Sequence, residues 1–148
     1  MSGWVVAICV CLDQALKAWM IHHPQPRVLI PGVLGLTYTE NTGVAFSLLE
    51  GSPFLTVGLS IGLLGVLCVY AWKSRTTGWE RVCVSLITGG ALSNLLDRCL
   101  RGYVVDMMEV LFVHFAIWNL ADAFVVTGCI VWMGMLLLRK DRTEHGVG

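Results

Sequence analysis

Val82–Leu100, VCVSLITGGALSNLLDRCL, is long enough to cross about 30 Å of hydrocarbon as a helix, yet it closes on polar residues. Asn94, Asp97, Arg98 and then Arg101 fall at i, i+3, i+4 and i+7. That spacing places all four on one helix face at one end of the run. Ionisable side chains are costly in hydrocarbon unless they face a bundle interior or a water-filled cavity. The face therefore marks either a functional site or a polar seam satisfied between helices. One turn earlier, Gly89, Gly90, Ala91 and Ser93 offer a small-residue surface for close helix packing, and Gly58, Gly62 and Gly65 suggest the same for a second run.

Three further runs flank this one: Trp4–Ile21, Pro53–Trp72 and Ile117–Leu138. With 56% hydrophobic and 14% charged residues in 148, the chain is too apolar for a water-soluble globule of its size, and the membrane is its natural solvent. The expected architecture is an all-α integral membrane domain over residues 1–148, with helices at 4–21, 53–72, 82–100 and 117–138. Lys73, Arg75 and Arg81 surround the loop 73–81, and Arg139, Lys140 and Arg142 open the tail 139–148, whereas the loop 22–52 carries only Arg27. The positive-inside rule then puts both termini and the middle loop in the cytoplasm, with loops 22–52 and 101–116 outside. Arg98 and Arg101 break that rule, which is expected of residues held by a ligand or an ion pair. The tail reads as short and frayed.

The formal net charge is zero and gives no reason to expect a nucleic-acid partner. Cys9, Cys11, Cys68, Cys83, Cys99 and Cys129 all lie within the runs, where cysteine packs as a small apolar residue. The first run lacks a basic leader and a small-residue cleavage site, so it reads as a retained helix rather than a signal peptide. In the first outer loop, Val33–Thr39 and Val44–Leu48 read as the arms of a short β-hairpin with its turn at Glu40–Gly43.

Asp13 and Lys17 stand one helical turn apart, a spacing that allows an ion pair within the bundle. Asp97 and Arg98 are expected to neutralise each other in part, and Arg98 has the donor fork to hold a peptide carbonyl or a phosphate. Gly102 takes the chain out of its helix and delivers Asp106 to the membrane edge. Asn119 and Asp122 open the last run, where a helix N-terminus favours a carboxylate, and a capping role alone would need no second aspartate nearby. Two aspartates on adjoining elements at one depth suggest a dyad that shares a proton. One carboxylate would take a proton from water while the other donates to a scissile carbonyl. His22 and His23 are adjacent and His114 stands alone, so no metal site and no cofactor is expected. The rival class is a small transporter or proton relay, which would spread acidic residues through the bilayer rather than gather them at one edge.

These residues resemble the prolipoprotein signal peptidases, or signal peptidase II, over nearly the whole chain. The likeness is carried by Asp13-Gln-Ala-Leu-Lys17, Asn41-Thr-Gly-Val-Ala-Phe46, Gly89-Gly-Ala-Leu-Ser-Asn-Leu-Leu-Asp-Arg98, Gly102-Tyr-Val-Val-Asp106 and Asn119-Leu-Ala-Asp122. The resemblance implies an aspartic endopeptidase of the bacterial inner membrane with its site near the outer face. Four transmembrane helices with a small extracytoplasmic β-cradle are implied as well. By the same likeness Asp106 and Asp122 match the catalytic dyad, Asn41, Gly43, Asn94, Arg98 and Asn119 match residues that hold the substrate, and Asp13, Lys17 and Asp97 match supporting positions. The implied substrate is a prolipoprotein carrying diacylglyceryl on a cysteine and cut just before it. A monomer with membrane lipid as its other partner is expected. Ser93, Met107 and Trp118 depart from the family's usual residues.

Overall fold

A computed structural model of the chain describes residues 1–43, 53–73 and 78–145. Four helices form in the expected places: α1 (Gly3–His22), α2 (Pro53–Lys73), α3 (Gly78–Arg101) and α4 (Leu120–His145). The last continues well past its apolar run into the expected tail. Among the described residues, α1, α2 and α4 are long and apolar enough to cross a membrane. Helix α3 is the polar one, and it packs against each of the other three, which shield it. Its burial is correspondingly broad, from Cys83 through Asp97.

Small residues make this central position possible. A side chain on Gly89 would meet Cys9 Cβ at 2.7 Å, and one on Gly90 would meet the Ala121 carbonyl oxygen at 2.3 Å. Gly128 of α4 is as tight against Ile87. Backbones thus approach closely where no hydrophobic force drives helices together in lipid. The glycines of α2 do not share this role: Gly58, Gly62 and Gly65 face open space, so the expectation that they pack is corrected. Helix α1 buries Val5, Cys9, Asp13, Lys17 and Met20, a single stripe at helical spacing, and turns Trp4, Ile8 and Leu12 outward.

Three strands form one antiparallel sheet in the order β1 (Arg27–Ile30), β2 (Leu34–Asn41), β3 (Val104–Val110). The hairpin turn lies at Pro31–Val33, where Gly32 takes φ +71° and Val33 N–H donates to the Ile30 carbonyl at 3.0 Å. The expected turn at Glu40–Gly43 is therefore wrong. Glu40 and Asn41 end β2 instead, because the Pro31-Gly32 pair already presets the reversal earlier in the loop. The expected arm Val44–Leu48 lies outside the described residues.

The partner of β2 comes from far along the chain. Leu34 pairs with Val110 at one end and Asn41 with Val104 at the other, and a bulge sets Thr37 and Tyr38 opposite Met107 alone. Trp118 then bridges Met108 on the far side of β3. Met20 of α1 packs with Leu36, Val105 and Met107, which seats the sheet on the His22 end of α1.

Candidate active site

Helix α4 begins on a reciprocal cap. The Asn119 side-chain oxygen accepts the Asp122 N–H at 3.0 Å, and Asp122 Oδ2 accepts the Asn119 N–H at 3.2 Å. This is the capping-box arrangement with an aspartate at the third helical position, where the helix dipole favours a carboxylate. Capping was one reading of these residues, and they do cap. They also do more, because Asn119 Nδ2 donates at 2.6 Å to Asp106 Oδ1.

Asp106 arrives by a different route. Gly102 adopts φ +84° and donates its N–H to the Arg98 carbonyl, ending α3 in a left-handed cap. The chain then enters β3, whose pairing of Thr39 with Asp106 and of Asn41 with Val104 brings Asn41 alongside. Asn41 Nδ2 donates to Asp106 Oδ2 at 2.9 Å. Asn94 Nδ2 of α3 donates to Asp122 Oδ1 at 2.8 Å. Each of the four carboxylate oxygens thus accepts one N–H, three from side-chain amides and one from backbone. Both aspartates line a single cavity of about 710 Å³ with Asn41, Asn94 and Arg98 on its polar wall. Leu63, Ala91, Val125 and Val126 make its apolar wall. Burial pushes the Asp106 carboxyl up to about 6, the nearby Asp122 charge adds to this, and the Asn41 and Asn119 amides oppose it.

Behind Asn94 lies a second cluster. Lys17 Nζ sits 2.7 Å from Asp13 Oδ2, 2.7 Å from Asp97 Oδ2 and 2.8 Å from Asn94 Oδ1, and all three charged side chains are fully buried. The expected Asp13–Lys17 pair is present. The expected Asp97–Arg98 pair is not: Asp97 pairs with Lys17 and Arg101. The face that looked continuous in sequence is divided, with Asp97 and Arg101 turned to α1 and Asn94 and Arg98 turned to the cavity. Asp13 Oδ1 also accepts the Ala121 N–H at 2.8 Å, which ties α1 to the first turn of α4.

Two members of this cluster went unnoticed in the sequence. Ser93 Oγ donates to Asp13 Oδ2 at 2.7 Å, and Gln14 Nε2 donates to Asp97 Oδ1 at 2.9 Å. An amide next to Asp13 inside an apolar run was the signal for Gln14. Ser93 reads in sequence as a small residue and as a departure from the family pattern, and neither marks it as a partner of Asp13.

Arg98 holds the end of β2. Its Nη2 donates to the Gly43 carbonyl at 3.0 Å, and the Gly43 N–H donates to Asn41 Oδ1 at 3.0 Å. Arg98 therefore steadies Asn41 through the backbone, while its buried Nε has no partner among the described residues. Asp106, Asp122, Asn41, Gly43, Asn94, Arg98, Asn119, Asp13, Lys17 and Asp97 all lie in these two joined clusters. No group of three His, Cys, Asp or Glu suited to a metal occurs among the described residues. The arrangement offers two oriented carboxyls, one poised to hold a proton near neutrality, above an apolar slot.

Known proteins share this fold. Residues 5–138 match the family model described as signal peptidase (SPase) II. The chain belongs to the signal peptidase II family. It is 34% identical to the lipoprotein signal peptidase of Streptococcus agalactiae, over 95% of this chain and 94% of that one. It is 36% identical to that of Syntrophomonas wolfei, with 93% of each covered. A bacterial membrane enzyme solved by the in meso method superposes with a TM-score of 0.85 at 27% identity, covering 95% of this chain and 88% of the other. A second such structure gives 0.82 at 29%, covering 90% of each. The chain is accordingly a multi-pass bacterial membrane enzyme, an aspartyl protease that removes signal peptides from prolipoproteins. Three further residues have local roles: Ser93 supports Asp13, Met107 fills the core beneath the sheet, and Trp118 bridges the edge of β3.

Proposed function

We propose that Asp106 and Asp122 are the catalytic pair. The observation that carries this is that two carboxyls from separate elements, β3 and α4, meet in one cavity with every oxygen oriented by an N–H donor. Asp106 holds the shared proton, in keeping with its carboxyl near 6, and donates it to the scissile carbonyl oxygen. Asp122, at the positive end of α4, is the base that takes a proton from water. The resulting hydroxide adds to the carbonyl carbon. Collapse of the tetrahedral intermediate breaks the C–N bond as Asp122 passes its proton to the departing amine and a hydroxyl of the intermediate returns one to Asp106. Asn41, Asn94 and Asn119 hold the two carboxyls, and Arg98 with Gly43 offers donor and backbone groups to the substrate peptide. Asp13, Lys17 and Asp97 support them from behind.

The substrate is a prolipoprotein with diacylglyceryl on the cysteine that follows the cut. The apolar wall from Leu63 to Val126 extends from the dyad along α2 and α4, and a lipid-anchored peptide would present its scissile bond at that depth. All four helices cross the inner membrane with both termini cytoplasmic, the sheet forms an extracytoplasmic cradle, and the site lies near the outer face of a monomer. The placement of basic residues supports this orientation. A gel-shift assay with lipidated and unlipidated prolipoprotein tests it. Wild type should cleave only the lipidated form, and Asp106→Asn and Asp122→Asn should cleave neither. Full turnover by either variant overturns the dyad.

A further inference from the structure

The far end of the sheet is apolar where a hairpin in water would be polar. The turn at Pro31–Val33 exposes Val33, and the segment after β3 exposes Leu111, Phe112 and Val113, with Phe112 at 72%. The two tips are joined, since Leu111 N–H donates to the Val33 carbonyl at 3.0 Å. Beside them β1 is an edge strand of the sheet among the described residues, and its consecutive Val28, Leu29 and Ile30 are all exposed, Val28 at 64%. Successive strand residues point to opposite faces, so this edge is apolar on both. Such an edge invites aggregation unless something covers it.

The root of β1 indicates what does. Arg27 lies 5.0 Å over the Trp19 ring, and Trp19 stacks on His23, all at the end of a membrane helix. Tryptophan and arginine so placed sit at headgroup level, where the guanidinium meets lipid phosphate and apolar groups beside it reach the acyl chains. We infer that β1, the Pro31–Val33 turn and Leu111–Val113 form a wedge inserted into the outer leaflet of the bilayer, with Arg27 held at the phosphates. The inference rests on the orientation proposed above. The wedge end of the sheet stands about 20 Å along the strands from the Asn41–Val104 pair. Lipid thereby holds the strand that carries Asp106 at a set depth.

The test uses full-length enzyme in vesicles of phosphatidylcholine, with and without phosphatidylglycerol, carrying a photo-crosslinking phenylalanine analogue at position 112 or 28. Both positions should label phospholipid, whereas the same analogue at Glu40 near the other end of β2 should not. Labelling of a second copy of the chain, or of no lipid at all, overturns the wedge. The double variant F112S/V113S, folded in detergent with wild-type turnover there, should show a KM about tenfold higher in vesicles with kcat unchanged. Equal KM values in vesicles also overturn it. Cleavage by Asp122→Asn would instead remove the dyad and leave the lipid labelling standing, so the two failures are distinguishable.

Discussion

Two pairs of aspartates sit on either side of Asn94, all buried but the half-buried Asp122, and they are held in opposite ways. Asp13 and Asp97 share the ammonium of Lys17, with Arg101 also on Asp97, so two anions meet two cations. Asp106 and Asp122 are held mainly by neutral amides from Asn41, Asn94 and Asn119. A buried carboxylate matched by a cation has its charge compensated in place and makes a joint. One held by dipoles alone keeps the freedom to gain and lose a proton. The same side chain thus becomes structure or chemistry according to the charge of its partners. Lys17 spends all three of its N–H groups on Asp13, Asp97 and Asn94, which leaves none for substrate. Because Lys17 only donates, Asn94 must turn its oxygen to Lys17 and its NH2 to Asp122.

The contrast breaks most easily at the dyad. Asp106→Asn and Asp122→Asn should each lower turnover of diacylglyceryl-prolipoprotein by about 10³-fold or more while leaving the melting temperature near wild type. Collapse of the fold in either variant would erase the distinction between the pairs. The mirror experiment is Asp13→Asn, which leaves Lys17 short of a charge and should cost about 3 kcal/mol of stability, read as a lower melting temperature. Its activity per folded molecule should stay within severalfold of wild type. Normal stability with lost turnover would move Asp13 into the chemistry.

Asn94→Ala cuts the bridge between the clusters. It should lower kcat about thirtyfold, the worth of about 2 kcal/mol for a hydrogen bond to a charged group. An unchanged kcat would mean that the clusters act independently. The smallest effect concerns pH. The Asp106 carboxyl, raised to about 6, holds its proton further toward neutrality than an ordinary aspartate, so kcat/KM should fall as pH rises through that value. Asn41 donates to the charged form and lowers this value, so Asn41→Ala should move the falling limb to higher pH. A shift to lower pH would contradict the assignment of the proton to Asp106.

The helices were legible because a bilayer demands long apolar runs: Trp4–Ile21 became Gly3–His22 and Pro53–Trp72 became Pro53–Lys73. The sheet was legible only in part. Pro31-Gly32 is a local turn signal too, and in the fold it takes the reversal expected at Glu40–Gly43. Val104–Val110 was seen as the exit that carries Asp106 and not as a strand, because its partner lies over sixty residues earlier and no local pattern announces that pairing. The site residues were legible as types. Ion pairing was not, since Asp97 had Arg98 beside it in sequence and yet found Lys17 on another helix. Helical spacing says which residues share a face and is silent about which neighbour that face meets.

The reciprocal cap of Asn119 and Asp122 has a consequence for how this enzyme fails. The hydrogen bonds that start α4 are the ones that aim Asp122, and Asn119 in the same bonds aims Asp106. Helix ends fray at far lower free energy than whole bundles unfold. Activity is therefore a thermometer for one turn of one helix: on warming, or in a harsh detergent, catalysis should fade while the four helices still read as folded.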